Sequence, residues 1–165
     1  MTTPDLATSL RALRDDGRKL LVPYITGGYP GWQDAIRACA ANGADAVEIG
    51  IPFSDPVMDG PVIQQASQAA LDGGTTPQSV LEEVPSLDVD IPLAVMTYYN
   101  LVHHDGPIRF ASRLVEAGVT GAILPDLPLE ESDEWATAAD DAGVATVMLA
   151  APTAPPTAPP AHPPP

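Results

Sequence analysis

Cysteine, basic residues and long apolar runs are all scarce in this chain of 165 residues. The single cysteine, Cys39, excludes an internal disulfide, and its place in an Ala-rich helical stretch predicts a small core residue rather than a nucleophile. The chain has 7 Lys and Arg against 22 Asp and Glu, and the resulting net charge of -15 argues against nucleic acid or an anionic membrane as a partner.

Segments that would direct the chain into a membrane or a secretion pathway are also missing from the sequence. No apolar run reaches the length of about eighteen residues that a membrane-spanning helix needs. Charged residues, among them Asp5, Arg11 and Asp15, interrupt the N-terminal stretch where a signal peptide would need an apolar segment. We therefore expect a cytoplasmic protein.

Motifs for nucleotides and metals are absent as well. The glycines of Gly27–Gly31 lack the GxGxxG spacing, and no phosphate-cradling GxxxxGK[ST] occurs. His103 and His104 fall in a polar stretch that we predict to be a loop, and no Cys or carboxylate at metal-ligand spacing accompanies them. The sequence therefore predicts no metal site.

A helix, a glycine and a short apolar run recur along the chain. Gly43, Gly118 and Gly143 each stand shortly before such a run, where a left-handed glycine ends a helix and turns the chain into a strand. Alternation of helices with short buried strands predicts a parallel α/β sheet. The predicted strands are Leu21–Thr26, Ala46–Ile51, Leu93–Tyr98, Gly121–Leu124 and Ala145–Ala150; the predicted helices are Gln33–Ala41, Pro61–Leu71, Pro107–Ala117 and Glu131–Asp141, with a short extra helix from Thr76–Pro77 to Pro85.

An open doubly wound sheet and a closed (β/α)8 TIM barrel both fit this alternation. Polar residues gather at several strand ends, namely Glu48 with Asp59, Tyr98 with Asn100, and Asp126. Contributions from many successive strands favour the barrel. A complete barrel needs eight strands and about 250 residues, so we predict an incomplete (β/α)8 barrel of roughly the first five β/α units, forming a domain over residues 1–152.

A Pro-rich tail follows that domain over residues 153–165, where TAPPTAPPAHPPP replaces the helical and strand patterns. This composition predicts disorder or polyproline II. A natural linker or a docking peptide for an SH3- or WW-type groove is one explanation. We favour another, a frameshift or truncation after about residue 153, because out-of-frame reading of GC-rich DNA would produce such a composition.

The run from Ala46 to Pro61, AVEIGIPFSDPVMDGP, carries the candidate catalytic groups. Val47, Ile49 and Ile51 frame a buried strand, so Glu48 should point to the opposite face. Burial of a carboxylate raises its pKa toward the range useful for proton transfer. A turn can return Asp59 to the same strand end, where two carboxylates could divide acid and base roles. The alternative is that Glu48 pairs with an Arg and Asp59 only forms a turn.

This run resembles the signature of the tryptophan synthase alpha subunit family, and two further segments, Leu21–Gly31 and Met96–Val102, resemble its first and third strand regions. The resemblance extends from near the N-terminus to Pro152 and implies a TIM barrel. It also implies retro-aldol cleavage of indole-3-glycerol phosphate to indole and glyceraldehyde 3-phosphate, in tryptophan biosynthesis. That lyase reaction requires no metal or organic cofactor.

The resemblance assigns roles to individual residues. Glu48 would act as acid and then base, and Asp59 would stabilise the positive charge at the indole nitrogen. Pro52, Phe53 and Asp55 would lie on the loop that faces a pyridoxal-phosphate-bearing beta subunit. The residues that would line or border the indole pocket are Tyr24, Met96, Tyr98 and Asp126, although each of these also suits core packing or a turn.

The family's phosphate site falls in later strands, so the resemblance implies that this chain lacks it. We therefore expect the chain to keep its acid–base residues but little activity. Two other functions remain open: a different TIM-barrel enzyme for a phosphorylated metabolite, or a non-enzymatic α/β interaction protein with a Pro-rich docking tail.

Overall fold

The computed structural model describes residues 4–149. Within them, five parallel strands form one sheet in which each strand pairs with the next along the chain, in the order β1-β2-β3-β4-β5. The predicted boundary at residue 152 and the predicted tail at 153–165 lie outside the described residues. The strands are β1 (Tyr24–Thr26), β2 (Val47–Gly50), β3 (Leu93–Met96), β4 (Gly121–Ile123) and β5 (Ala145–Val147).

Seven α-helices are found among the described residues. They are α1 (Leu6–Asp15), α2 (Trp32–Ala41), α3 (Pro61–Asp72), α4 (Pro77–Glu83), α5 (Tyr99–Asp105), α6 (Pro107–Glu116) and α7 (Asp133–Ala142). The five predicted strands and five predicted helices are all confirmed, with the strands shorter than expected. A 3₁₀ turn, Val84–Leu87, prolongs α4 through Pro85.

Helices α1 and α5 were not predicted. The Asp5 side chain caps α1 by accepting a hydrogen bond from the Thr8 N–H at 2.7 Å, a local signal that the charged N-terminal stretch obscured. The loop predicted around His103 and His104 is wrong, since both lie in the last turn of α5. That helix begins where the Tyr99 N–H donates to the Asp126 carboxylate at 2.8 Å, a contact between distant segments that no local pattern shows.

The two faces of the sheet differ in what covers them. Val47, Ile49 and Val95 are completely buried in the large core that the sheet shares with the outer helices. On the other face, Ala46 and Ala94 pack against Leu6 of α1. Small residues on this second face leave room for α1 at one end of the strands and for larger functional side chains at the other.

The segment that leads into β1 is held by a buried carboxylate. Asp45 is 5% exposed and forms an ion pair with Arg18 at 2.8 Å. Its second oxygen accepts from the Leu21 N–H at 2.8 Å, while its own N–H donates to the Leu21 carbonyl. These bonds fix the start of β1 against the start of β2, and so set the relative height of the two strands.

No helix within residues 4–149 combines the length and the apolar character needed to cross a bilayer.

Replacing Leu6 by Ala tests whether α1 is an integral part of the sheet. Leu6 is 4% exposed, and truncating a buried Leu leaves a cavity, so we expect the free energy of unfolding to fall by about 2–4 kcal/mol. Urea unfolding followed by circular dichroism measures the change. The matched control is Leu21→Ala, at a side chain that is 57% exposed, which we expect to change stability by about 0.5 kcal/mol or less. Equal effects of the two substitutions would contradict this packing.

Candidate active site

Glu48 occupies the middle of β2 and faces away from the large core. Val47 and Ile49, its neighbours in sequence, are fully buried on the other face, whereas Glu48 is half-buried. Burial raises the pKa of its carboxyl above the usual value for Glu. Among residues 4–149 the Arg ion pairs all involve Asp partners. The described chain therefore offers no Arg partner to Glu48, and the alternative of a structural ion pair loses its support.

Tyr24 lies beside Glu48 on the neighbouring strand, because the parallel register pairs these two residues. Its pKa is raised to about 12, chiefly by burial, and the negative charges of Asp59 and Glu48 add to the rise, while a hydrogen bond with the Thr26 side chain opposes it. Both carboxylates are therefore close enough to the Tyr24 hydroxyl to affect its ionisation. Tyr24 therefore lies near both carboxylates, beside Glu48 on the adjacent strand and within electrostatic reach of Asp59.

Gly50 makes this arrangement possible. A Cβ at residue 50 would collide with the Tyr24 hydroxyl and ring, so Tyr24 packs directly over the backbone of β2. Sequence reasoning missed this role, although a glycine inside a strand is a known sign of close approach by another group.

Asp59 reaches the site on the loop between β2 and α3. Burial raises the pKa of its carboxyl, and a hydrogen bond from Tyr98 acts in the opposite direction. Its backbone carbonyl accepts a bond from the Gln64 side chain at 2.8 Å, which ties the loop to α3. Asp59 thus shapes the turn with its backbone and leaves its carboxylate to face Tyr98 and Tyr24.

Tyr98 follows the end of β3 and is 2% exposed. Its hydroxyl accepts a hydrogen bond from the Met58 N–H at 2.9 Å, and its ring packs on Phe53 with centroids 5.1 Å apart. The predicted pocket residue therefore also contacts the loop that carries Asp59. The Met58 backbone N–H was not predicted as part of the site, since backbone groups leave no sequence signal of their own.

The other two predicted pocket residues occupy different positions. Met96 pairs with Gly50 in the register of β2 and β3. Gly50 comes two residues after Glu48, so Met96 lies on the same face of the sheet as Glu48 and closer to the carboxyl ends of the strands. Asp126 is half-buried after β4, and its carboxylate accepts from the Tyr99 N–H at 2.8 Å. One oxygen of Asp126 is therefore engaged at the start of α5, while its backbone lies in the turn considered from the sequence, closed by the Leu127 N–H and the Leu124 carbonyl.

The three predicted interface residues differ in exposure. Asp55 is exposed and accepts a hydrogen bond from the Ser54 hydroxyl at 2.5 Å. Phe53 is half-buried against Tyr98, and Pro52 is buried. Of the three side chains, Asp55 is the one fully presented at the surface.

The site combines two carboxylates in different surroundings with two tyrosines. Glu48 is desolvated and unpaired within the described chain, whereas Asp59 is more open and the Tyr98 hydroxyl lowers its pKa. Such a difference allows one carboxyl to exchange protons while the other stays charged. Among residues 4–149, no group of three or more His, Cys, Asp or Glu side chains could hold a metal ion.

Known proteins of one family resemble this chain in sequence and in structure. The family model of the tryptophan synthase alpha chain matches residues 10–158. The tryptophan synthase alpha chain of Acaryochloris marina is 44% identical over 146 residues, which are 86% of this chain and 55% of the relative. That of Streptomyces coelicolor is 44% identical over 153 residues, or 90% of this chain and 56% of the relative. The chain thus spans little more than half the length of these curated relatives.

Solved structures agree with the sequence comparison. Tryptophan synthase from Mycobacterium tuberculosis superimposes with a TM-score of 0.85 at 35% identity, covering 93% of this chain and 64% of that one. A tryptophan synthase α2β2 complex from Pyrococcus furiosus gives a TM-score of 0.77 at 34% identity, covering 82% and 60%. The five-stranded sheet is therefore part of a (β/α)8 barrel, as predicted. A family model that matches most of the sequence and a fold shared with these structures establish that this chain belongs to the tryptophan synthase alpha chain family.

Proposed function

We propose that this site carries out the retro-aldol cleavage of indole-3-glycerol phosphate to indole and glyceraldehyde 3-phosphate, a lyase step of tryptophan biosynthesis. The observation that carries the proposal is the half-buried Glu48, unpaired within residues 4–149 and placed beside Tyr24, whose pKa the Asp59 carboxylate also raises. A structural carboxylate in such a place would need a cation or several donors. Family membership supplies the reaction that uses such a group.

Glu48 is proposed as the proton donor and acceptor. Cleavage needs a proton on indole carbon three, which breaks the aromatic system, and then removal of the proton from the adjacent glycerol hydroxyl. Burial raises the pKa of Glu48, so the carboxyl is protonated more readily than an exposed one and can deliver that first proton. The resulting carboxylate is then the base for the second transfer.

Asp59 is proposed to stabilise charge rather than to move protons. Positive charge develops at the ring nitrogen once carbon three is protonated, and a fixed carboxylate near that N–H lowers the energy of the transition state. The Tyr98 hydroxyl favours the charged form of Asp59. Tyr24, Met96 and Tyr98 are proposed as the walls against a flat indole ring, with Asp126 at the rim.

We expect turnover by this chain to be slow. Asp59 and Glu48 are only partly buried by residues 4–149, and a site open to water weakens electrostatic stabilisation of the transition state. The family's phosphate-binding residues belong, by the resemblance, to strands beyond those seen here. The proposal therefore assigns the acid–base chemistry to this chain and does not assign it a phosphate site.

A tryptophan synthase beta subunit is the proposed protein partner. The Pyrococcus furiosus relative is an α2β2 complex, and the loop after β2 presents Asp55 together with Val57, which is 77% exposed. Pro52 and Phe53 would support this surface from below, because they are buried or half-buried.

Substitution of either carboxylate tests the proposed reaction. With the chain in excess over indole-3-glycerol phosphate, we expect indole release to be slow in the wild type. In Glu48→Gln we expect a further loss of about 10²–10⁴-fold, because a positioned acid–base group contributes that much. Asp59→Asn should also lower the rate constant more than it weakens substrate binding. Single-turnover assays that detect indole measure both changes.

The control for these variants is Glu82→Gln, which alters an exposed carboxylate of α4 that bonds only Gln78 among the described residues. It should retain the wild-type rate. Equal rates in Glu48→Gln and the wild type would refute the role of Glu48, and a complete lack of indole release by the wild type would refute the activity for this chain.

The pH dependence of stability tests the environment of Glu48 without any assay of activity. Because burial raises its pKa in the folded state, the folded chain binds more protons than the unfolded chain just above the ordinary pKa of Glu. Stability therefore falls as pH rises through that range. Glu48→Gln removes this loss, so we expect the variant to be more stable than the wild type at pH 7, with the difference vanishing below the ordinary pKa.

Urea unfolding at a series of pH values measures this difference, and Glu82→Gln, which alters an exposed carboxylate, is measured alongside as the control. A Glu48→Gln variant that is less stable than the wild type at pH 7 would mean that the Glu48 carboxylate has a stabilising partner.

A further inference from the structure

The Tyr98 hydroxyl contacts two successive residues of the loop after β2. It accepts from the Met58 N–H at 2.9 Å, and its interaction with the Asp59 carboxyl lowers the pKa of that group. A tyrosine hydroxyl has one proton to donate and lone pairs that accept. Since the backbone N–H can only donate, the bond to Met58 uses a lone pair of the hydroxyl and leaves its proton available to the neighbouring Asp59 carboxylate.

Tyr98 is itself held firmly. Its side chain is 2% exposed, its ring packs on Phe53, and the next residue in the chain donates its N–H to Asp126 at 2.8 Å. The loop that it contacts is much more open, since Val57 is 77% and Met58 56% exposed. A buried, fixed hydroxyl thus contacts the part of the loop whose apolar side chains, Val57 and Met58, are exposed.

Packing explains the ring of Tyr98 but not its hydroxyl. Phe53 and the surrounding core would accept a Phe ring at residue 98 equally well, because the ring contact involves no polar atom. A buried hydroxyl costs free energy unless it is hydrogen-bonded, and here its partners belong to the loop that carries a proposed catalytic residue.

We propose that Tyr98 is a positioning residue, whose hydroxyl holds the Met58 backbone and the Asp59 carboxylate in place at the end of β2. The proposal rests on the proposed function in so far as Asp59 acts on substrate. It assigns to Tyr98 a role apart from lining the pocket. The loop that presents Asp59 is then held on two sides, by the Gln64 side chain of α3 at the Asp59 carbonyl and by the Tyr98 O–H group at Met58 and the Asp59 carboxylate.

The Tyr98→Phe variant of the full chain tests this role, because it removes the hydroxyl and keeps the ring. Amide hydrogen exchange followed by NMR should show about tenfold less protection at the Met58 N–H, as expected for the loss of one hydrogen bond. In the same variant, the Asp59 side-chain carboxyl should titrate at a higher pH, because a hydrogen bond that favours the charged form is gone. Any indole release should decline in kcat with little change in KM.

Two internal references separate positioning from general loss of structure. The Gln64 N–H, bonded to the Gly60 carbonyl at 3.0 Å in the first turn of α3, should keep its protection in Tyr98→Phe. The matched variant Tyr99→Phe removes a hydroxyl from the adjacent residue and should leave both Met58 exchange and Asp59 titration unchanged.

Unchanged Met58 protection together with an unchanged Asp59 titration in Tyr98→Phe would overturn the proposal. So would an equal loss of protection at Met58, Gln64 and the strands, which would show that Tyr98 is only a core residue. Neither NMR measurement needs turnover, so failure of this proposal is distinguishable from failure of the proposed enzymatic function.

Discussion

The parallel register of β1, β2 and β3 is the constraint on which the site depends. It places Tyr24 and Ala94 on either side of Glu48. It also places Met96 beside Gly50, which is two residues after Glu48 on the same strand. A shift of one residue in β2 would turn Glu48 into the large core and expose Val47 and Ile49. The packing that stabilises the sheet therefore also fixes which way the catalytic candidate points.

The groups whose charged forms are disfavoured by burial lie where the chemistry is proposed. Burial raises the pKa of Glu48, of Asp59 and of Tyr24, so each of these groups is less easily charged than it would be in water. By contrast, the buried Asp45 near the start of β2 has an Arg partner and a backbone donor. The structural carboxylate, Asp45, is therefore paired. The carboxylate that faces the site, Glu48, has no ion-pair partner among the described residues.

Two consecutive residues after β3 connect three loops. The Tyr98 side chain contacts the loop after β2 through Met58 and Asp59, and the Tyr99 N–H contacts the loop after β4 through Asp126. A backbone N–H and a side-chain hydroxyl that are adjacent in sequence cannot move far apart. The positions of Asp59 and Asp126 are therefore coupled through the start of α5, although they come from strands that do not pair with each other.

The amino-acid sequence by itself determined the strands, most helices and the orientation of Glu48, because alternating apolar residues and helix-ending glycines act within a few residues of the chain. Its motif around Glu48 and Asp59 also indicated the family. Only the tertiary structure decided that α5 forms, that Gly50 lies under Tyr24, that Pro52 is buried and that Tyr98 contacts the Asp59 loop. Each of these depends on contacts between segments that are distant in sequence, and such contacts exist only once the parallel strands have brought their ends together.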